Sequence, residues 1–179
     1  MLIWNKLGLG SLVFLFSITA FGHEVHWDFS NTIYHDVQKD EVVNSGELEI
    51  FGDVVNNAEF KVTINYTLKP RWYVPAPDQK GSINETMPLE FATEEGYQNL
   101  AKIGTTSYRG LNVKYLGRAD FKEYKNCYKV VVKPPSGLWE GEVLYHPDVA
   151  SVGWVHIRLT IMNIPVIGKH TAVSHLREE

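Results

Sequence analysis

Apolar and polar side chains alternate without a break from residue 59 to 68: Phe60, Val62, Ile64, Tyr66 and Leu68 fall on one side, and Lys61, Thr63, Asn65 and Thr67 on the other. A period of two is that of a strand with one face on a core and the other in water. The pattern returns at Val155, Ile157, Leu159 and Ile161, which places His156, Arg158 and Thr160 on the polar face. Shorter runs obey the same rule at Val25, Trp27 and Phe29, at Leu48 and Ile50, at Leu111, Val113 and Tyr115, at Tyr128, Val130 and Val132, and at Trp139, Gly141, Val143 and Tyr145. About seven to nine strands are expected, with Trp27, Trp139 and Trp154 in the core.

One segment has a different period. Thr93 is placed to cap a helix whose first turn carries Glu94 and Glu95; Tyr97, Leu100 and Ala101 then recur three and four residues apart, and Gly104 stops it. Pro70, Pro75 and Pro77 crowd residues 70–78, which excludes a central strand there and predicts an edge or crossover loop. Many short strands and little helix predict an all-β fold, an immunoglobulin-like antiparallel β-sandwich with one short helix.

Composition changes where that domain begins. Residues 1–6 carry one lysine, residues 7–16 are almost wholly apolar, and Ala20-Phe21-Gly22 offers small residues at a cleavage position. This is the layout of a secretory signal peptide, too short in its apolar run for a membrane span. Residues 23–179 are then a single exported domain, in the periplasm in transit to the cell surface. The 17 Lys and Arg against 21 Asp and Glu give a net charge of −4, so no basic field holds a nucleic-acid backbone. Cys127 is the only cysteine, which excludes an intrachain disulfide; it sits in a strand-like run and reads as a buried thiol.

Catalytic signatures are missing. The chain has no Gly-x-Ser-x-Gly elbow, Walker loop, His-Glu-x-x-His or Gly-x-Gly-x-x-Gly, and its paired acids Glu94-Glu95 and Asp40-Glu41 lie in solvated contexts, so no enzyme and no cofactor is expected. Two binding alternatives stay open. Cleavage after Gly22 would leave His23 at the N-terminus, where amine and imidazole together chelate copper and His26 is a further ligand. Trp72 and Tyr73, flanked by prolines, would stack on a sugar ring in a carbohydrate-binding module. Of the remaining histidines, His35 reads as an exposed polar residue of the N-terminal strand, and His146, His156, His170 and His175 are scattered and read as solvated. Two glycosylation sequons, at Asn65 and Asn84, are too common a pattern to carry weight.

Two segments carry a resemblance. Residues 134–143, with a Pro-Ser-Gly turn, Trp139, Gly141 and an alternating strand, resemble a late strand of chaperone–usher pilus subunits of the alternative class. Residues 23–29 alternate polar and apolar directly after the cleavage position. The resemblance implies an incomplete sandwich whose groove is filled by the N-terminal strand of the next subunit. Val25, Trp27, Phe29 and Ile33 would be the residues donated, from a segment spanning 23–37. It also implies other copies or related subunits and a periplasmic chaperone as partners, with a host glycan or protein as receptor. The other possibility is that residues 24–37 form the first strand of the chain's own sheet. The chain departs from the family in the turn at residues 144–148 and in residues 162–179 beyond the last strand, so a tip adhesin or minor subunit is also compatible.

Overall fold

The computed structural model describes residues 23–33, 42–69, 77–164 and 168–177; within these, the side chains of residues 23–33, 42–45, 54, 163–164 and 168–170 lie outside the description. The elements are β1 (His23–Ile33), β2 (Val42–Asn56), β3 (Glu59–Lys69), β4 (Gln79–Pro88), a 3-10 turn (Leu89–Phe91), α1 (Glu94–Ile103), β5 (Thr105–Tyr108), β6 (Leu111–Phe121), β7 (Tyr124–Lys133), β8 (Trp139–Tyr145), β9 (Trp154–Ile164) and β10 (Gly168–Leu176). The proposed signal segment and residues 34–41 and 70–76 lie outside the described residues.

All ten strands are antiparallel in one sheet, in the order β4-β3-β2-β1-β10-β9-β8-β7-β6-β5. Chain neighbours pair throughout, except that β10 returns to β1 and the chain leaves one edge at β4 to re-enter at the other through α1 and β5. The sheet closes on itself. Laid flat, nine strand spacings would separate β4 from β5 by about 43 Å, yet the Tyr108 hydroxyl donates to the Thr86 carbonyl at 2.9 Å. Arg109 donates to the same carbonyl at 3.0 Å and to the Glu85 carboxylate at 2.8 Å. Side chains on the hairpin after α1 thus clasp two edges that share no ladder, and they occupy backbone acceptors an open edge would offer to other chains.

Two facing layers result. Ile50, Phe60 and Val62 of β2 and β3 pack with Ala92 and Val152, and Trp154 and Ile157 of β9 lean on the same cluster. Tyr97 and Leu100 of α1 pack with Val113, Tyr128, Val130 and Tyr145 of β6 to β8, again touching Trp154. The fold is an all-β sandwich with one short helix, the class expected from the alternation. Its connections are hairpins between neighbours, where immunoglobulin domains use Greek-key crossovers.

α1 forms where its cap and stop predict. The Thr93 hydroxyl accepts from the Gly96 amide at 3.3 Å, and Gly104, at φ 78°, closes the C-terminus with its amide on the Leu100 carbonyl at 2.8 Å. Gly96 is required for a different reason: a Cβ there would overlap the Cα and carbonyl of Glu90. Alanine is the better helix former by about 1 kcal/mol, but this backbone overlap outweighs that gain. Gly96→Ala is therefore expected to destabilise the protein, seen as a lower urea midpoint with unchanged slope.

β9 departs from its alternation. Tyr145 pairs with Trp154 and Leu144 with His156, so Val155 is an inserted residue. Such a bulge shifts the parity of the strand. Val155 and His156 thereby leave the side of Trp154 and Ile157; Val155 joins Cys127 and Leu144 in a third cluster on the opposite face of β7 and β8. His156 is buried against Phe121, with ring centroids 4.8 Å apart, and is not the solvated residue that the sequence pattern implies. Thr160 is buried and Leu159 exposed, also the reverse of expectation.

Candidate functional site

β1, the strand singled out for donation, lies in the middle of the sheet between β2 and β10. Val25 stands opposite Ile50; Trp27 opposite Leu48 and Leu176; Phe29 opposite Gly46 and Ser174; Ile33 opposite Val42 and His170. Ile50 is wholly buried, and Leu48 and Leu176 pack on its cluster. Val25 and Trp27 thus share registers with core-forming positions of β2, and Trp27 also with Leu176 of β10. In this structure β1 is paired within its own chain. The intervening residues occupy the other face, where His26 is opposite Glu49 and Asp28 stands between Glu47 and His175.

His23 and His26 are both in β1, opposite Gly52 and Glu49. Three residues apart on a strand, they belong to opposite faces. Among the described residues, no three His, Cys, Asp or Glu side chains are grouped closely enough to hold a metal ion. Trp72 and Tyr73 lie outside the described residues. No helix of the described residues is long and apolar enough to cross a membrane.

The sequence did not reveal an aromatic stack beneath α1. Tyr97 and Tyr145 lie face to face, with centroids 4.0 Å apart and planes 13° from parallel, and Tyr128 meets Tyr145 edge-on at 6.0 Å. The Trp154 indole N–H donates to the Tyr97 hydroxyl at 3.2 Å, which in turn donates to the Phe91 carbonyl at 3.4 Å. Trp154, read as core from the alternation, is half-buried and joins the two main clusters. Arg118 covers Tyr128 from the open side, its guanidinium carbon 3.2 Å from the ring centroid. The signals for this stack were present one residue at a time, in the helical spacing of Tyr97 and the alternation around Tyr128 and Tyr145; their convergence was not.

Burial pushes the Tyr145 hydroxyl up to about 12, with Glu94 and Tyr128 adding to the shift, and burial also raises Tyr97 against the lowering influence of the Trp154 hydrogen bond. In the unfolded chain a tyrosine ionises near 10. Stability is therefore complete below that value and falls as pH rises from it through the folded values. A tyrosinate absorbance titration run beside denaturant melts is expected to show this alkaline loss, reduced in Tyr97→Phe and Tyr145→Phe.

On the opposite face, burial holds the His156 imidazole below its ordinary range, and Arg158 adds to the effect. Burial likewise raises the Cys127 thiol, consistent with an inert side chain. Lys129 and Glu142 form a partly buried ion pair at 2.7 Å beside them. Two surface clefts, one beside α1 at Glu90, Asn99 and Ile103 and one over Glu47, Asn65 and Lys80, measure about 80 and 190 Å³. Both are smaller than the roughly 300–1,000 Å³ that encloses a small-molecule ligand. No known family model matches the chain, and no curated protein is significantly similar to it.

Proposed function

We propose that the chain is an exported, non-catalytic β-sandwich that serves as a structural or adhesive subunit of a fimbria or pilus, assembled by donation of its N-terminal strand. The observation that supports this reading is the position of β1: it directly follows the signal-like segment, and its Val25 and Trp27 stand in register with Ile50 and Leu48 of β2 and Leu176 of β10, which pack in the core. Exchange of this strand between copies would keep every one of its ladder hydrogen bonds and every core register; only the connection across residues 34–41 has to change course. The closed form with β1 in its own sheet is then the resting monomer, and the linked form is the assembly. Other copies or related subunits and a periplasmic chaperone are the partners in this reading, and a glycan or protein on a host surface is the receptor.

Ser30 and Ser45 are directly opposite each other on β1 and β2. Paired positions of this kind are about 4.5–5.5 Å apart at Cα, within disulfide range. Exported S30C/S45C protein, oxidised and run without reductant, is expected to give a ladder of covalent multimers. A cross-linked monomer alone would overturn the assembly.

A further inference from the structure

The hairpin of β6 and β7 ends in a bent tip. Its ladder shifts between Ala119 and Phe121, and Lys122 and Asn126 take φ 51° and 58°. A break of this kind bends the strand that carries it, and the Asp120 carboxylate holds the bend by accepting from the Asn126 amide at 3.0 Å. Phe121 and Tyr124 of the tip pack on the third cluster, Cys127, Leu144 and Val155. Each of the two rings also rests on an imidazole from outside the hairpin. Phe121 lies on His156 of β9, with centroids 4.8 Å apart, and Tyr124 on His146 just after β8, at 5.3 Å. Cys127 is wholly buried under this cover, whereas Phe121 and Tyr124 are only half-buried.

His156 is the weak point of that cover. It is 7% exposed, and its buried Nδ1 has no hydrogen-bond partner among the described residues. In an imidazolium both ring nitrogens donate, so the charged form would bury an N–H without an acceptor. The charged groups around it do not compensate. Lys129 of β7 and Arg158 of β9 are cationic, Glu142 of β8 is taken by Lys129 at 2.7 Å, and His175 of β10 is a second imidazole, with Asp28 of β1 beyond it in register. In the hairpin, Asp120 is paired with Lys125 at 3.3 Å, Glu123 is exposed, and the Lys122 amine already approaches the Phe121 ring at 5.8 Å, competing with an imidazolium for that ring. We propose that residues 120–125 form an acid-sensitive flap latched by His156: a proton on this imidazole frees the tip and bares Cys127. An unburied imidazole takes its proton near 6.5, and burial holds His156 below that range. The closed flap is therefore fully stable above about 6.5 and loses that stability as pH falls through the lower folded value. Its operation does not depend on strand donation.

Cys127, the only cysteine of the chain, reports the opening. The purified chain is treated with dithiodipyridine from about pH 7.5 to about pH 5, either side of the ordinary imidazole value, and each rate is divided by that of N-acetylcysteine. The corrected rate is expected to be low at the upper end and to rise below about 6.5, by up to about tenfold per pH unit, while the far-UV circular dichroism stays constant. His156→Gln should flatten the profile and Phe121→Ala should label fast at every pH, whereas His175→Gln keeps the rise. If His156→Gln folds poorly, imidazole NMR of the unaltered chain keeps the test open, since the His156 resonance has to titrate with the labelling midpoint. A flat profile in the unaltered chain, a rise that survives His156→Gln or vanishes in His175→Gln, slow labelling of Phe121→Ala, a His156 resonance that does not follow the labelling, or labelling that appears only as the dichroism collapses would overturn the proposal.

Discussion

Removal of residues 23–33 is expected to abolish cooperative folding of the chain, and the same eleven residues added as a peptide are expected to restore it. β1 pairs with β2 along its whole length and with β10 from Trp27 to Ile33, so its loss leaves two unpaired edges in the middle of the sheet. It also uncovers the registers of Ile50, Leu48 and Leu176, which help build the core beneath. A large apolar side chain loses about 1.5–3 kcal/mol when left in water, and a domain of this size has only about 5–15 kcal/mol in total. Circular-dichroism melts of the truncated chain, with and without the peptide, measure both halves of the expectation. A truncated chain that melts as the intact one does would show that β1 is not integral. Failure of the peptide to rescue would show that the strand is not transferable, and the assembly reading would fall with it.

Tyr97→Ala is expected to cost about 3–5 kcal/mol, the usual range for deleting a large buried ring. Tyr97 is 3% exposed, stacks on Tyr145 and joins α1 to β6, β7 and β8, so its removal leaves a cavity under the only helix among the described residues. Tyr97→Phe keeps the stack but removes the acceptor of the Trp154 indole N–H and the donor to the Phe91 carbonyl. Leaving such partners unsatisfied costs about 1–3 kcal/mol. Urea denaturation of both variants separates packing from hydrogen bonding: similar losses in the two would mean that the hydroxyl, not the ring, holds the helix in place.

The elements that were legible in the sequence are those whose signal is local. Thr93, the acidic first turn and Gly104 bound α1 as observed, because capping involves atoms within a few residues of each other. The alternation at residues 59–68 belongs to β3, and Tyr128, Val130 and Val132 face the core as expected. β4, β5 and β10 were missed. Gln79–Pro88 is largely exposed and carries no apolar alternation, so what makes it a strand is its ladder with β3. β10 owes its place in the same way to β9 and β1 on either side. In β9 the period was present, but Val155 is an inserted residue that does not share the face of Ile157, and only the pairing with β8 reveals it.

The candidate site divides along the same line. Val25, Trp27, Phe29 and Ile33 were recognisable as one face of a strand; that this strand is fourth in the order, between the second and the last, was not. His156 read as a solvated histidine, and its burial against Phe121 exists only once the strands are assembled. By itself the sequence determined the all-β class, the helix and its ends, and the apolar face of most strands, because side-chain period and capping are short-range properties. The tertiary structure alone decided strand order, the clasp of Tyr108 and Arg109 across the open edges, the aromatic stack and the burial of His156. Each of these depends on which distant segments meet, and neither composition nor periodicity records that.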